Sequence, residues 1–242
     1  MADVIINLAG EGIADKRWTA RRKRKIINSR IFSTNLLVES LKVIPNKVQL
    51  IINASAIGIY GDTGEMIMNE SSPLADDFLG QTCKRWELAA HEFEKQKIRT
   101  VIFRIGLVLA AEGGFLPQIK QPLRFGFAPY IGNGQQYQSW IHINDLCRMM
   151  MMAIENDSWN GTYNAVAPGP LSNKNFMKLL THILGGRFLL VKIPKFLIRI
   201  LFGEMSKLVT GGTRVSSKKI EAAGFSFSYP QANHALRDLL GK

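Results

Sequence analysis

The chain has 242 residues, 46% of them hydrophobic and 21% charged, the balance of a globular protein that buries a sizeable core without staples. Its two cysteines, Cys83 and Cys147, are far apart and in no C-x-x-C arrangement, which argues against a disulfide framework or a zinc site and suits the reducing cytosol. The net charge is +12, from 31 Lys+Arg against 19 Asp+Glu; with no signal pattern and no apolar run near the ~20 residues of a membrane span, a cytoplasmic protein without a membrane partner is expected.

The first element is Asp3–Leu8, an apolar, β-branched run that reads as a buried parallel strand. Such a strand needs neighbours on both sides, and no residues precede this one to supply them. The expectation is therefore an α/β chain, a doubly wound parallel sheet lacking its first βαβ region. Gly10-Glu11-Gly12-Ile13-Ala14-Asp15 follows and superficially matches G-x-G-x-x-[GA]. The third small residue of that turn lets the helix pack closely on the strand. Here the place holds Asp15, with bulky Lys16-Arg17-Trp18 behind it, so the segment does not read as a pyrophosphate loop.

Much of the excess charge sits in Lys16, Arg17, Arg21, Arg22, Lys23, Arg24 and Lys25. It reads as a solvated helix face near a phosphate-bearing ligand. Nucleic-acid binding through Lys16–Lys25 is the alternative, but no aromatic platform or nucleic-acid motif accompanies the charge.

Thr19 is the expected N-cap of a helix running to about Val43, with Ile27, Ile31, Thr34, Leu37, Val38 and Leu41 on one face, ended by Pro45-Asn46. Val48–Ala54 is the next strand, and a polar loop runs from Tyr60 to Pro73. Asp76 or Asp77 caps a helix to about Gln96 that turns Trp86, Ala89, Ala90 and Phe93 inward. Thr100–Ile105 is a strand. The Gly/Pro-rich stretch 113–134 is too long for a turn and reads as a substrate-side insertion, the whole insertion spanning about 113–140. Asn144 or Asp145 starts a Met-rich helix, and Gly161–Val166 is a further strand. Strands alternating with helices predict a parallel sheet.

Beyond Ser172 helices dominate, near Asn173–Leu184, Pro194–Phe202, Ser216–Ala223 and Gln231–Leu240. The expected division is therefore 1–172 and 173–242. Phe188–Phe202 is apolar with Lys192, Lys195 and Arg199 interspersed. It is expected to pack on the sheet, a membrane-surface helix being the alternative.

Ile6-Asn7-Leu8-Ala9-Gly10-Glu11, Arg17-Trp18-Thr19, Ser29-Arg30, Ser55 to Gly64, Trp86-Glu87 and Trp140 to Leu146 occur in this order. Together they resemble the atypical extended short-chain dehydrogenases/reductases that are sugar-nucleotide-epimerase-like. Pro194 onward, with Gly203-Glu204-Met205, Gly211-Gly212 and Ala223-Gly224-Phe225, is similar to the small, mostly helical C-terminal domain of that group. The resemblance covers essentially the whole chain.

It implies a Rossmann-like domain binding NADP(H) ahead of NAD(H), closed over a substrate cleft by the smaller domain. Members open on a glycine-rich turn that is not in this sequence, so an N-terminally truncated member is expected. It implies cofactor contacts from Asn7, Leu8, Ala9 and Gly10, from Ser55, and from the Arg104, Gly106 and Leu107 backbone, Gly106 permitting close approach. Related hydride-transfer enzymes pair a Tyr with a Lys four residues on, the ammonium lowering the phenol pKa. Here Cys83 stands in the Tyr place and Glu87 in the Lys place.

The candidate catalytic residues are then Ser55, Tyr60 and Cys83, although Tyr60 and Cys83 also read as packing. Tyr60, Gln135, Trp140, His142 and Asn164 are candidate substrate contacts. His142 also reads as a structural histidine and Asp145 as a helix N-cap. His91, His182 and His234 show no ligand spacing, so no metal is expected.

The leading expectation is an NAD(P)-dependent epimerase/dehydratase-like protein or oxidoreductase acting on a small or sugar-nucleotide-like molecule. A non-catalytic binding or regulatory module is the alternative. The strand edge beside residues 3–8 suggests a homodimer.

Overall fold

A computed structural model describes residues 2–242. β1 (Val4–Asn7) leads to the 24-residue α1 (Ala20–Val43). Thr19 caps that helix by accepting from the Arg22 N–H, one of the donors a helix start leaves unpaired. β2 (Leu50–Ala56), a 3₁₀ turn at Ile57–Tyr60 and the short β3 (Ile67–Met68) follow. The cap of α2 (Phe78–Ala90) is Asp77, which accepts from the Gly80 N–H at 2.9 Å. The 3₁₀ turns His91–Gln96 extend α2 to the length read from the sequence.

β4 (Arg99–Ile105) and β5 (Leu107–Leu109) precede α3 (Phe115–Leu123), β6 (Phe127–Ile131), β7 (Tyr137–Gln138) and β8 (Trp140–His142). Then come α4 (Ile143–Glu155), β9 (Gly161–Ala165), β10 (Leu171–Ser172) and α5 (Asn173–Leu184). The chain closes with β11 (Leu189–Ile193), α6 (Lys195–Phe202), α7 (Lys207–Thr210), β12 (Arg214–Val215), α8 (Lys218–Ala222) and α9 (Ala232–Leu240).

The central sheet is parallel with strand order β1-β2-β4-β9. β2 and β4 are buried on both faces, which is why both read as unbroken apolar runs. One face, with Leu50, Ile52, Val101 and Phe103, packs on Met149, Met150 and Ala153 of α4. The other, with Ile51, meets Val38 of α1 and Phe93. Helices on both faces of a parallel sheet make the expected Rossmann-like architecture. Among the described residues β1 is the edge strand, bonded to β2 alone.

The mostly helical C-terminal region is shared between two cores. Ile220 and Phe225 join the central sheet beside Trp159. Phe176 and Leu180 of α5 and Leu236 of α9 instead close over Leu116, Ala128 and Trp140. The stretch read as an insertion thus supplies structure of its own, α3 and β6, to that second core.

Three expectations need correction. Ser55 lies within β2, not past its end. Asp145 does not cap α4; His142 does, its ring accepting from the Asn144 N–H at 3.1 Å. Asp145 is instead buried and accepts from the Ser228 and Tyr229 N–H groups, both at 2.9 Å. Finally, Phe188–Phe202 does not pack on the central sheet; Phe188 and Leu190 pack on the second core, and the helical part stays outside. β11 pairs with β6 alone. Pro194 can donate to no ladder, and the helix that follows it, α6, has no buried residue.

Candidate functional site

On its α1/α2 side the sheet turns polar toward the C-terminal strand ends, the edge where open α/β sheets bind ligands. The register places Ser55 of β2 beside Arg104 of β4, and Arg104 beside Asn164 of β9. All three are buried. α2 lies over this row because Cys83, Trp86, Glu87 and Ala90 recur at helical spacing on its buried face.

Glu87 takes the Arg104 guanidinium in a two-pronged pair, Nε to Oε1 at 2.9 Å and Nη2 to Oε2 at 2.8 Å. Ser55 Oγ donates to Glu87 Oε1 at 2.6 Å. Arg104 Nη1 donates to the Tyr60 hydroxyl at 2.9 Å and to the Glu70 carbonyl at 3.1 Å. Tyr60 in turn donates to Asn164 Oδ1 at 2.7 Å. Glu70 Oε1 receives the Asn164 N–H at 2.8 Å.

Burial opposes the Arg104 charge, but its contacts with Glu87 and Tyr60 win and raise its pKa. Burial pushes the Tyr60 phenol up, and the adjacent guanidinium offsets only part of this. Tyr60 therefore keeps its proton at neutral pH. Cys83 is pushed up to about 12, first by burial and then by the Glu87 charge. A thiol so far from neutrality does not exchange protons with a substrate, so the reading of Cys83 as a catalytic acid falls and its packing role stands.

A second polar cluster lies under the end of β1. Asn7 Nδ2 donates to Asn53 Oδ1 at 2.7 Å and to Thr34 Oγ1 at 3.0 Å, and Trp86 Nε1 reaches Thr34 at 3.2 Å. Asn7 Oδ1 receives the Ala9 N–H at 3.2 Å. The buried Asn7 thereby holds Leu8, Ala9 and Gly10 as an exposed shelf. At Gly10 a side chain would press on the Arg30 guanidinium, 3.0 Å from the place of a Cβ.

Gly10–Asp15 is not a diphosphate cradle, in line with its sequence. Glu11 and Asp15 both pair with Arg22, at 2.6 and 3.4 Å, and the Gly12 carbonyl also accepts from Arg22. Two carboxylates and a carbonyl directed at one arginine repel phosphate.

The remaining candidates are structural. A Cβ on Gly106 would lie 2.6 Å from the Ser139 carbonyl and 2.8 Å from Val166. On that side its close approach is to the protein itself. Leu107 N–H donates to that same Ser139 carbonyl at 2.8 Å. Trp140 is fully buried, its Nε1 donating to the Gly169 carbonyl at 2.8 Å. His142 is buried and stacked on Tyr229 at 3.8 Å, with Nε2 3.2 Å from Asp238 Oδ2. Neither side chain is free to meet a substrate. Gln135 is exposed on a turn, its N–H donating to Asn133 Oδ1 at 3.1 Å. Ser55, Tyr60 and Asn164 come together; Gln135, Trp140 and His142 do not join them.

The pairing of Glu87 with the Arg104 side chain was not anticipated. A signal for it existed: a charge inside the apolar strand Thr-Val-Ile-Phe-Arg-Ile must be paired when buried. No three His, Cys, Asp or Glu side chains converge on a metal position among the described residues.

The NAD dependent epimerase/dehydratase family profile matches residues 1–165, and a domain of unknown function, DUF1731, matches residues 193–239. The chain is 38% identical over 239 residues to the epimerase family protein YfhF of Bacillus subtilis, covering 98% of this chain and 78% of YfhF. Human epimerase family protein SDR39U1 (isoform 2), solved with NADPH, superposes with a TM-score of 0.92 at 28% identity, over 100% of this chain and 83% of that one. UDP-glucuronic acid 4-epimerase from Bacillus cereus, in complex with UDP-glucuronic acid and NAD, shares the fold at a TM-score of 0.76 and 21% identity, over 99% of this chain and 75% of that one. Matched over most of its length by the profile and by a relative well above 30% identity, the chain belongs to the NAD dependent epimerase/dehydratase family.

Proposed function

We propose that the chain serves NADP(H)-linked epimerase- or reductase-type chemistry on a small or sugar-nucleotide-like carbonyl or alcohol. The observation that carries this reading is the Glu87–Arg104–Tyr60 network at the sheet's C-terminal edge, the edge where β1 leads into the Leu8–Gly10 shelf. A phenol held between a guanidinium and an amide is a hydrogen-bond-rich place for a polar substrate group. The nicotinamide group supplies the hydride donor or acceptor when bound.

The described residues fit one part of that cofactor. The exposed Leu8–Gly10 backbone suits the adenosine half, and no glycine-rich turn for the diphosphate occurs among them. NADPH in the human relative and the exposed cations Arg21, Arg24 and Lys25 support NADP(H) ahead of NAD(H). Of the network hydroxyls, Tyr60 holds a proton between two partners, and Ser55 gives its proton to Glu87 and can only accept from a substrate. The test is titration with NADPH and NADH while following the fluorescence of Trp86. NADPH should quench at lower concentration than NADH, and no change at millimolar concentrations of either overturns the reading.

A non-catalytic binding module is the second reading. It is favoured by the fact that the Ser55 and Tyr60 hydroxyls already have protein acceptors. Cofactor binding without turnover, unchanged in Tyr60→Phe, would support it. The edge position of β1 among the described residues supports a second copy as partner, and light scattering of the purified chain tests this. A cytoplasmic location accords with both readings.

A further inference from the structure

Helix α6 is left without cover. Phe196, Leu197, Ile200, Leu201 and Phe202 are all exposed, at 41 to 66%. At 3.6 residues per turn, Phe196, Ile200, Leu197 and Leu201 fill one continuous arc, and Lys195 and Arg199 share one flank of it. The β6–β11 ribbon that leads into α6 adds Phe127 and Leu189, which are register partners and both exposed. A contiguous apolar patch of this kind on a folded surface marks an interaction site.

The charge around the patch identifies the occupant. From Ser158 to Gly203 the sequence has six Lys and Arg and no Asp or Glu. α6 is also tied to the basic start of α1. Arg17 Nη2 donates to the Ile200 carbonyl at 3.0 Å, and Lys23 pairs with Glu204. That junction sets the start of α1, with its exposed Lys16, Arg21 and Arg24, next to α6. Beside α6 is a cavity of about 780 Å³ lined by Lys195, Phe196, Arg199 and Lys207, by the hydroxyls of Ser206 and Thr210, and by Glu204, whose carboxylate is engaged by Lys23. Its size is that of a small-molecule site, and its lining suits a phosphate-bearing headgroup.

We propose that α6, with the Lys16–Lys25 stretch beside it, docks this protein on an anionic phospholipid surface. The helix lies in the interface with its apolar arc among acyl chains and its cations among phosphates. No spanning segment is needed; none of the described helices is long and apolar enough to cross a membrane. With Glu204 engaged by Lys23, the lining keeps an excess of positive charge, which favours an anionic lipid over an apolar protein partner.

The test is flotation of the purified chain with vesicles of phosphatidylcholine alone or mixed with phosphatidylglycerol. Binding should require phosphatidylglycerol and weaken as salt rises. Ile200→Gln with Leu201→Gln should lower it at least tenfold. Arg21→Ala with Arg24→Ala should lower it about 25-fold, roughly fivefold for each cation near the surface. All four side chains are exposed, so far-UV circular dichroism and the thermal midpoint should match the parent. No flotation with anionic vesicles overturns the proposal, as does equal flotation with neutral ones or binding unchanged in the α6 variant. A dimer that the α6 variant converts to monomer, without flotation, would assign the helix to a second copy and overturn it as well.

Discussion

Ser55 and Glu87 share a 2.6 Å hydrogen bond in which the serine is the donor. The carboxylate that receives it also holds both prongs of Arg104. A carboxylate in the place of the Lys raises the pKa of a neighbouring acid. Glu87 does contribute to holding Cys83 up, but most of its charge is answered by the guanidinium. The positive partner of the phenol therefore comes from β4 and not from α2.

Breaking this pair strands a buried charge. Glu87→Met should destabilise the fold by about 3–5 kcal/mol, while Glu87→Met with Arg104→Met should cost less than the two single changes added together. Urea unfolding of the two singles and the double gives the coupling. A coupling near zero would mean that the pair is not a unit.

The two cysteines should behave oppositely. Cys147 is exposed and Cys83 buried, so a disulfide reagent at pH 8 should titrate one thiol in the native protein and two in urea. Because burial pushes the folded Cys83 thiol up to about 12, above its ordinary value of 9.0, its contribution to stability is intact below about pH 9 and is lost as pH rises toward 12. Rapid native labelling of both thiols would contradict its packing.

Much of the fold was legible because its signals are local. Thr19, Asp77 and Ser172 each cap a helix, and the sequence marks each start with a short polar residue at or beside the cap. β2 and β4 were legible as apolar runs. The site was less legible because its partners are distant in sequence: Glu87 and Arg104 meet only once α2 lies on the sheet, and one sequence carries no record of that contact. Trp140 and His142 were misread for the same reason. An indole or imidazole looks like a ligand contact until the Gly169 carbonyl or the Tyr229 ring occupies it. The exposure of α6 was missed because apolarity alone does not say which face is covered.

Gly106 should tolerate no side chain. Its Cβ position is 2.6 Å from the Ser139 carbonyl, a backbone atom that cannot swing aside, so Gly106→Ala should cost about 1–3 kcal/mol through overpacking. Thermal unfolding measures this. Full stability with lost cofactor binding would restore the reading of Gly106 as a cofactor contact.

His142 should give an acid-side dependence. Burial lowers its pKa below 6.5, with Asp238 and Asp145 opposing. The unfolded chain then binds the proton first, so stability present above about pH 6.5 declines as pH falls from there toward the folded-state value. Urea midpoints from pH 7.5 down to 5 should show this decline, and His142→Asn, which retains a capping side chain, should flatten it. An unchanged slope in that variant would assign the acid sensitivity to other groups.

The row Ser55–Arg104–Asn164 also fixes how the strands may slide. A parallel ladder can re-form after a slip of one residue, because backbone groups repeat. Such a slip inverts every side chain of the displaced strand. In β4 a slip that sends Arg104 toward the rings of Trp159 and Tyr163, where Phe103 now packs, brings Ile105 against Glu87. A lone guanidinium on one side and a lone carboxylate on the other make that misalignment expensive, so the ionic pair keys the sheet to a single registration.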